Sequence, residues 1–87
     1  MIYKKVTIKN ELGLHARIAA KVSQMCKGFD SAVTIRKGSV RAKGTSIIEL
    51  LVLGAPKGSE VEIIVEGGDE VRNIEALEEI FSEAVPV

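Results

Sequence analysis

The stretch Val33-Thr34-Ile35-Arg36-Lys37-Gly38-Ser39-Val40-Arg41-Ala42 decides the fold. Val33-Thr34-Ile35 and Val40-Arg41-Ala42 alternate as strands do, and Lys37-Gly38-Ser39 between them is a turn, so the segment reads as a hairpin. A tight hairpin makes its two strands antiparallel. Before it, Ala16 to Lys27 sets Ile18, Val22, Met25 and Cys26 on one helical stripe, with Lys27-Gly28 as a basic last turn and a stop. After it, Ser46-Ile47-Ile48-Glu49 reads as a capping box, serine at the N-cap and glutamate three residues on. The short apolar helix that follows stops at Gly54, and Ala55-Pro56-Lys57-Gly58-Ser59 is a turn. Glu60 to Glu66 alternates Val61, Ile63 and Val65 against acidic positions, a strand with one face inward. Gly67-Gly68-Asp69 then caps a last helix with Val71, Ile74, Leu77 and Phe81 on its apolar side. At the start, Ile2, Val6 and Ile8 keep a period of two, interrupted by Lys4. The order β-α-β-β-α-β-α predicts a two-layer α+β sandwich.

Size and composition narrow the function. Eighty-seven residues, 46% of them hydrophobic, make one ordered domain over 1–87. The first residues alternate as a strand and lack the apolar core of a secretory leader, and no apolar run reaches membrane-spanning length. A lone cysteine, Cys26, forms no internal disulfide and fits a reducing compartment. With one histidine, it also argues against a zinc site. Its plain reading is a small residue buried on a helix face. Residues 1–43 carry ten Lys/Arg against two Asp/Glu, and residues 44–87 carry two against ten. That segregation predicts a positive potential around the N-terminal half, able to steer an acidic partner, unless the halves interleave in space. Nucleic acid is disfavoured by three aromatics in all and no dense basic run.

Gly13-Leu14-His15-Ala16-Arg17 holds the chemistry. It carries the only histidine, two residues before an arginine, where the first helix begins. Imidazole titrates near neutrality, so much of it is neutral and nucleophilic in the cell. The first turn of a helix offers unpaired N–H groups and a favourable dipole for an anion, and an arginine fork matches phosphate oxygens. Each residue also has a plainer reading: His15 as a cap, Arg17 as a solvated first-turn residue that opposes the dipole. Ile47, Ile48, Leu50, Leu51, Val52 and Leu53 crowd one short helix, which cannot bury all its sides. Some of Ile47, Ile48 and Leu51 are expected to face water as a partner patch. Ser46 is read as that helix's N-cap. A ferredoxin-like ligand-binding or RNA-binding module shares the element order. The lack of aromatics on the middle and fourth strands counts against RNA.

Taken together, Gly13-Leu14-His15-Ala16-Arg17, Ser46-Ile47 and Leu53-Gly54, at this spacing and chain length, resemble the HPr family. Its members are histidine-containing phosphocarriers of the bacterial phosphoenolpyruvate-dependent sugar phosphotransferase system. The resemblance implies an open-faced sandwich, a four-stranded antiparallel sheet covered on one face by three helices. It implies that His15 takes a phosphoryl group on Nδ1 from enzyme I and passes it to EIIA domains, as a relay without a turnover activity of its own. Arg17 would pair with the phosphoryl group. Ala20, Gln24 and Lys27 on the first helix would dock partners with Ile47, Ile48 and Leu51 on the second. Ser46 would be the site of HPr kinase/phosphorylase. A cytoplasmic monomer with no cofactor, no metal, no nucleic acid and no membrane insertion is expected. Three positions depart from the family pattern: Ile18 replaces the usual proline, Glu49 a frequent glycine and Thr45 a common lysine. They leave a second reading open, an adaptor of a non-sugar phosphotransferase branch.

Overall fold

The computed structural model describes residues 1–83; the last four positions of the expected domain lie outside the described residues. The elements are β1 (Ile2–Thr7), α1 (Ala16–Lys27), β2 (Ala32–Lys37), β3 (Val40–Lys43), α2 (Ile47–Leu53), β4 (Glu60–Glu66) and α3 (Glu70–Ser82). The order is the one read from the sequence. The strands form one antiparallel sheet, arranged β1-β4-β2-β3. The hairpin pairs β2 with β3, and β4 inserts between β1 and β2, opposing Val6 to Val61 on one side and Ile35 to Ile63 on the other.

Side chains alternate across the sheet, so one face is apolar. Val6, Val33, Ile35, Ala42, Val61, Ile63 and Val65 are buried there beneath the helices. Helix α1 contributes Ile18, Ala19, Val22 and Cys26, α2 Leu50 and Leu53, and α3 Ile74, Leu77, Ile80 and Phe81. Ile8 is buried just beyond the end of β1. Lys4, the interruption in the β1 pattern, lies on this same side, and its ammonium reaches out to Glu78 of α3 at 2.9 Å. Burial pushes the Cys26 thiol up to about 12, so it stays protonated as a packing residue. Gly44 lies against it: a Cβ there would come within 2.7 Å of Cys26 Sγ and 2.8 Å of Val33 Cγ1.

Three expectations are corrected. Val71 is 60% exposed. The buried stripe of α3 is Asn73, Ile74, Leu77, Ile80 and Phe81, and at 100° per residue Val71 lies roughly 120° from its centre. The inward place in the first turns goes to Asn73, whose amide donates to Asp30 Oδ1 at 3.0 Å and Ser31 Oγ at 2.8 Å. Second, the charged halves do not stay apart. Acidic β4 sits between basic β1 and β2, and Lys4–Glu78, Lys21–Glu83, Arg36–Glu62 and Lys57–Glu11 each join one half to the other. Third, the capping box is only half made: Ser46 Oγ accepts the Glu49 N–H at 3.2 Å, but the Glu49 carboxylate accepts the Lys43 N–H at 2.9 Å instead of reaching back to Ser46. The Ser46 N–H is taken by the Lys43 carbonyl.

Two outcomes follow for stability. Gly44→Ala should cost about 1–3 kcal/mol, because the added methyl meets a packed core that must shift to admit it. The drop would appear in the urea midpoint. The Asp30 carboxyl is held below its ordinary range by the Asn73 amide and then by the Asp69 N–H. Glu70 is held down by the Gly67 N–H and then by the N-terminal ammonium. A carboxyl lowered in the folded state stabilises the fold above the ordinary carboxylate range, and that contribution is lost as the pH falls through the lowered value. The thermal midpoint should therefore fall as the pH drops below about 4, and Asp30→Asn should flatten part of that fall.

Candidate functional site

The site begins in the loop between β1 and α1. Asn10 is buried, its side-chain oxygen accepting the Leu12 N–H at 3.1 Å and its carbonyl the Gly13 N–H at 3.0 Å. This closes a turn that ends at Gly13 with φ of 68°, a left-handed conformation that glycine adopts without strain. Glycine is needed there for a second reason: a Cβ would lie 2.5 Å from the Ala55 carbonyl oxygen. The close approach lets the Leu14 N–H donate to that carbonyl at 2.8 Å and sends the Leu14 side chain into the core. The loop after α2 and the start of α1 are thus clamped together.

His15 follows as the N-cap of α1, in extended conformation, with its Nδ1 accepting the Arg17 N–H at 3.3 Å. A ring nitrogen that accepts a hydrogen bond carries no proton, so the neutral imidazole holds its proton on Nε2. Nε2 is enclosed and has no partner, while the residue as a whole is half-buried. The Nδ1 lone pair therefore points at the helix start, among the N–H groups of the first turn. Arg17 is exposed, and among the described residues its guanidinium has no acidic partner. Ile18, in place of the family's proline, adds a backbone N–H to that turn and buries its side chain to 2% exposure. The substitution is absorbed by the core. Glu11 and Lys57 pair at 2.6 Å on the loops that Gly13 joins. Among the described residues no three His, Cys, Asp or Glu side chains gather as a metal would require.

The sequence-derived partner residues are all exposed, on two helices that pack against each other. Ala20, Gln24 and Lys27 are exposed on α1, and Ile47, Ile48 and Leu51 are exposed on α2, at 39%, 75% and 40%. The two helices are joined at the Ser23 hydroxyl, which donates to the Thr45 carbonyl at 2.7 Å. Sequence reasoning missed two members of the exposed apolar set. Val52 is 75% exposed and Leu12 is 66% exposed. Val52 follows Ile48 by four residues, so the helical period marked it. Leu12, in a loop, left no periodic signal. Ser46 is half-buried as the α2 cap, at the far end of α2 from Gly54 and the Gly13 seam. Gly54 ends that helix with φ of 62°. A cavity of about 620 Å³ lies elsewhere, between the end of α1 and the start of α3, and its lining includes neither His15 nor Arg17.

Comparisons with known proteins agree with this geometry. Residues 2–83 match the family model described as the PTS HPr component phosphorylation site. The chain is 38% identical over 81 residues to phosphocarrier protein HPr of Treponema pallidum, covering 93% of this chain and 92% of that one. It is 40% identical over 80 residues to phosphocarrier protein NPr of Proteus mirabilis, covering 91% and 89%. The crystal structure of HPr-C-His from Thermoanaerobacter tengcongensis superposes with a TM-score of 0.88 at 34% identity, over 93% of this chain and 91% of that one.

The contrast between the two helix starts is measurable. Ser46→Ala removes a cap oxygen and should cost about 1 kcal/mol. Arg17→Ala removes a cation that gains nothing from the dipole and touches no partner, so its urea midpoint should match wild type. A large loss at Arg17 would make it a structural residue.

Proposed function

The chain belongs to the HPr family of phosphocarriers of the phosphotransferase system, and we propose that its carrier atom is His15 Nδ1, charged by enzyme I and discharged to EIIA domains. The observation that carries this reading is the aim of Nδ1: an unprotonated nitrogen at the start of α1, already accepting the Arg17 N–H. In transfer, the Nδ1 lone pair forms the N–P bond while the bond from phosphorus to the donor breaks, its electron pair leaving with the donor. The ring keeps its Nε2 proton throughout. The phosphoryl oxygens then replace Nδ1 as acceptors for the first-turn N–H groups, with Arg17 supplying the matching charge. His15 is an indifferent cap by residue type, whereas a phosphoryl group is a strong one. The helix start thus favours the charged carrier without holding the group covalently beyond one bond.

In this reading the partners seat on Ala20, Gln24 and Lys27 of α1 and on Ile47, Ile48 and Leu51 of α2. Leu12 and Val52 extend the apolar area. HPr kinase/phosphorylase would act at Ser46. The half-made capping box bears on that step: with Glu49 held toward Lys43, its carboxylate is committed to a backbone N–H, yet it still adds like charge one turn from a phosphate on Ser46. A second reading, an adaptor in a non-sugar phosphotransferase branch, draws support from the NPr relative at 40% identity beside the HPr relative at 38%.

Incubation with enzyme I and phosphoenolpyruvate should add one acid-labile phosphate in the intact mass, and His15→Ala should abolish it. Labelling that survives His15→Ala would sink the assignment. Arg17→Ala should slow transfer roughly ten- to a hundredfold, the worth of one charge-assisted contact. Ser46→Asp keeps an N-cap oxygen, so its thermal midpoint should stay near wild type, while the new charge beside Ile47 should weaken binding to enzyme I. Unchanged affinity would leave Ser46 as a helix cap alone.

A further inference from the structure

The sheet face away from the helices carries charge in columns. Across one row run Lys5, Glu62, Arg36 and Arg41; across the next run Tyr3, Ile64, Thr34 and Lys43. The alternation that buries Val61, Ile35 and Ala42 under the helices turns these residues outward. Glu62 is taken by Arg36 at 2.8 Å. Arg41 then stands directly opposite an arginine already committed to another partner. The Gly44 N–H donates to the Val33 carbonyl across the same pair of strands. By alternation, Arg36 and Arg41 form a non-hydrogen-bonded pair, where facing side chains are closest. Like charges directly opposite one another destabilise a sheet, and of this pair only Arg36 has an acidic partner among the described residues. Lys43, two residues on, adds a third cation to the same face, and among the described residues neither its ammonium nor the Arg41 guanidinium has an acidic partner.

We propose that this basic half of the open face, Arg36, Arg41 and Lys43, docks a carboxylate-bearing stripe of a partner protein. The surface is separate from the helical face that presents His15. Charge complementarity selects the occupant. Glu60, Glu62 and Glu66 of β4 lie in the next column. A partner surface with acidic groups over β2 and β3 and neutral or basic groups over β4 matches both columns. A nucleic acid strand, with phosphates at every step, would be repelled by β4. It would also find no stacking platform, because Tyr3, on the edge strand β1, is the only aromatic on this face among the described residues. Strand addition at β3 is restricted: the Glu49 carboxylate and the Ser46 N–H already hold the outward N–H and carbonyl of Lys43, leaving only those of Arg41 on this four-residue edge strand. Contact is therefore through the side chains of the face.

The test is a chemical-shift titration of the intact chain with an octaglutamate peptide at low salt. Shifts are expected at Thr34, Arg36, Arg41 and Lys43. The double variant Arg41→Glu, Lys43→Glu should lower affinity by about tenfold or more, the sum of a few exposed charge pairs. Arg41→Ser should weaken peptide binding with an equal or higher thermal midpoint, since it removes the like-charge contact, and should still take phosphate from enzyme I as wild type does. A lowered midpoint would make Arg41 structural and overturn the proposal. So would shifts confined to the cations of α1, tighter binding of a short DNA duplex at the same residues, or concentration-dependent shifts without peptide, which would give the face to a second copy. The titration reads this face without any phosphoryl transfer, so a failure of the His15 assignment leaves its result standing.

Discussion

One face of β4 governs the molecule. Val61, Ile63 and Val65 are each at most 1% exposed, and the strand that carries them pairs on both sides, with β1 and with β2. β4 is the sixth element of the chain and the second strand of the sheet. The earlier strands therefore have no continuous sheet until it arrives. Once it is in place, three apolar helices have only one surface on which to bury their stripes, and the opposite face is left to polar residues. The loops that join helices to strands must then come together at the sheet's ends. At one end they do so through Gly13, whose missing side chain lets Leu14 hydrogen-bond the Ala55 carbonyl. The position of His15 depends on that seam.

The chemistry is an outgrowth of a packing problem. Every helix leaves N–H groups unpaired at its start, and most solve this with a serine, an aspartate or a threonine. Helices α2 and α3 do so, with Ser46 and Asp69. Helix α1 caps itself with the nitrogen of a weakly basic ring. The same hydrogen bond that satisfies Arg17's N–H fixes which ring nitrogen is bare, and in the proposed function that is where the N–P bond would form. In that reading, a better cap would have left nothing reactive. The enclosed, partnerless Nε2 belongs to the same arrangement: it keeps the proton on the side away from the helix start.

Much of this was legible in the sequence because it is periodic or local. The hairpin at Lys37-Gly38-Ser39, the stripe of α1, the stops at Gly28 and Gly54 and the alternation of β4 are patterns within a few residues. Ile47, Ile48 and Leu51 followed from counting sides on a short helix. The misreadings share a different cause: each depends on a partner remote in sequence. Asn73 is buried because Asp30 and Ser31 meet its amide, and that displaced Val71 from the expected stripe. Glu49 left the capping box because the end of β3 lies within its reach. Gly44, on which the sequence carried no signal, is crowded for the same reason: Cys26 and Val33 fill the space a Cβ would need. Segment charge was misread for the same reason, since the sheet order that interleaves the halves is not written in either half.

That interleaving changes how association at the two faces must be understood. A chain split into a basic and an acidic half would act at a distance, as a dipole. Here the sheet order and four ion pairs bring the two halves' charges together, and exposed charges more than a Debye length apart are screened in any case. What remains is short-ranged and local. On the helical side it is exposed apolar surface, Ile48 and Val52 at 75% each, which in the proposed function would supply affinity while exposed Arg17 and Lys27 would set orientation. On the open face over β2 and β3 it is mainly charge, with Tyr3 and Ile64 the apolar members toward β1, which gives orientation but little affinity of its own. Two surfaces of such unequal chemistry, on opposite sides of one sheet, do not compete for the same partner feature. In the proposed function, contacts on the helical face would have to be brief, breaking after each transfer. The open face adds selectivity only where a partner already presents acidic groups in the matching column.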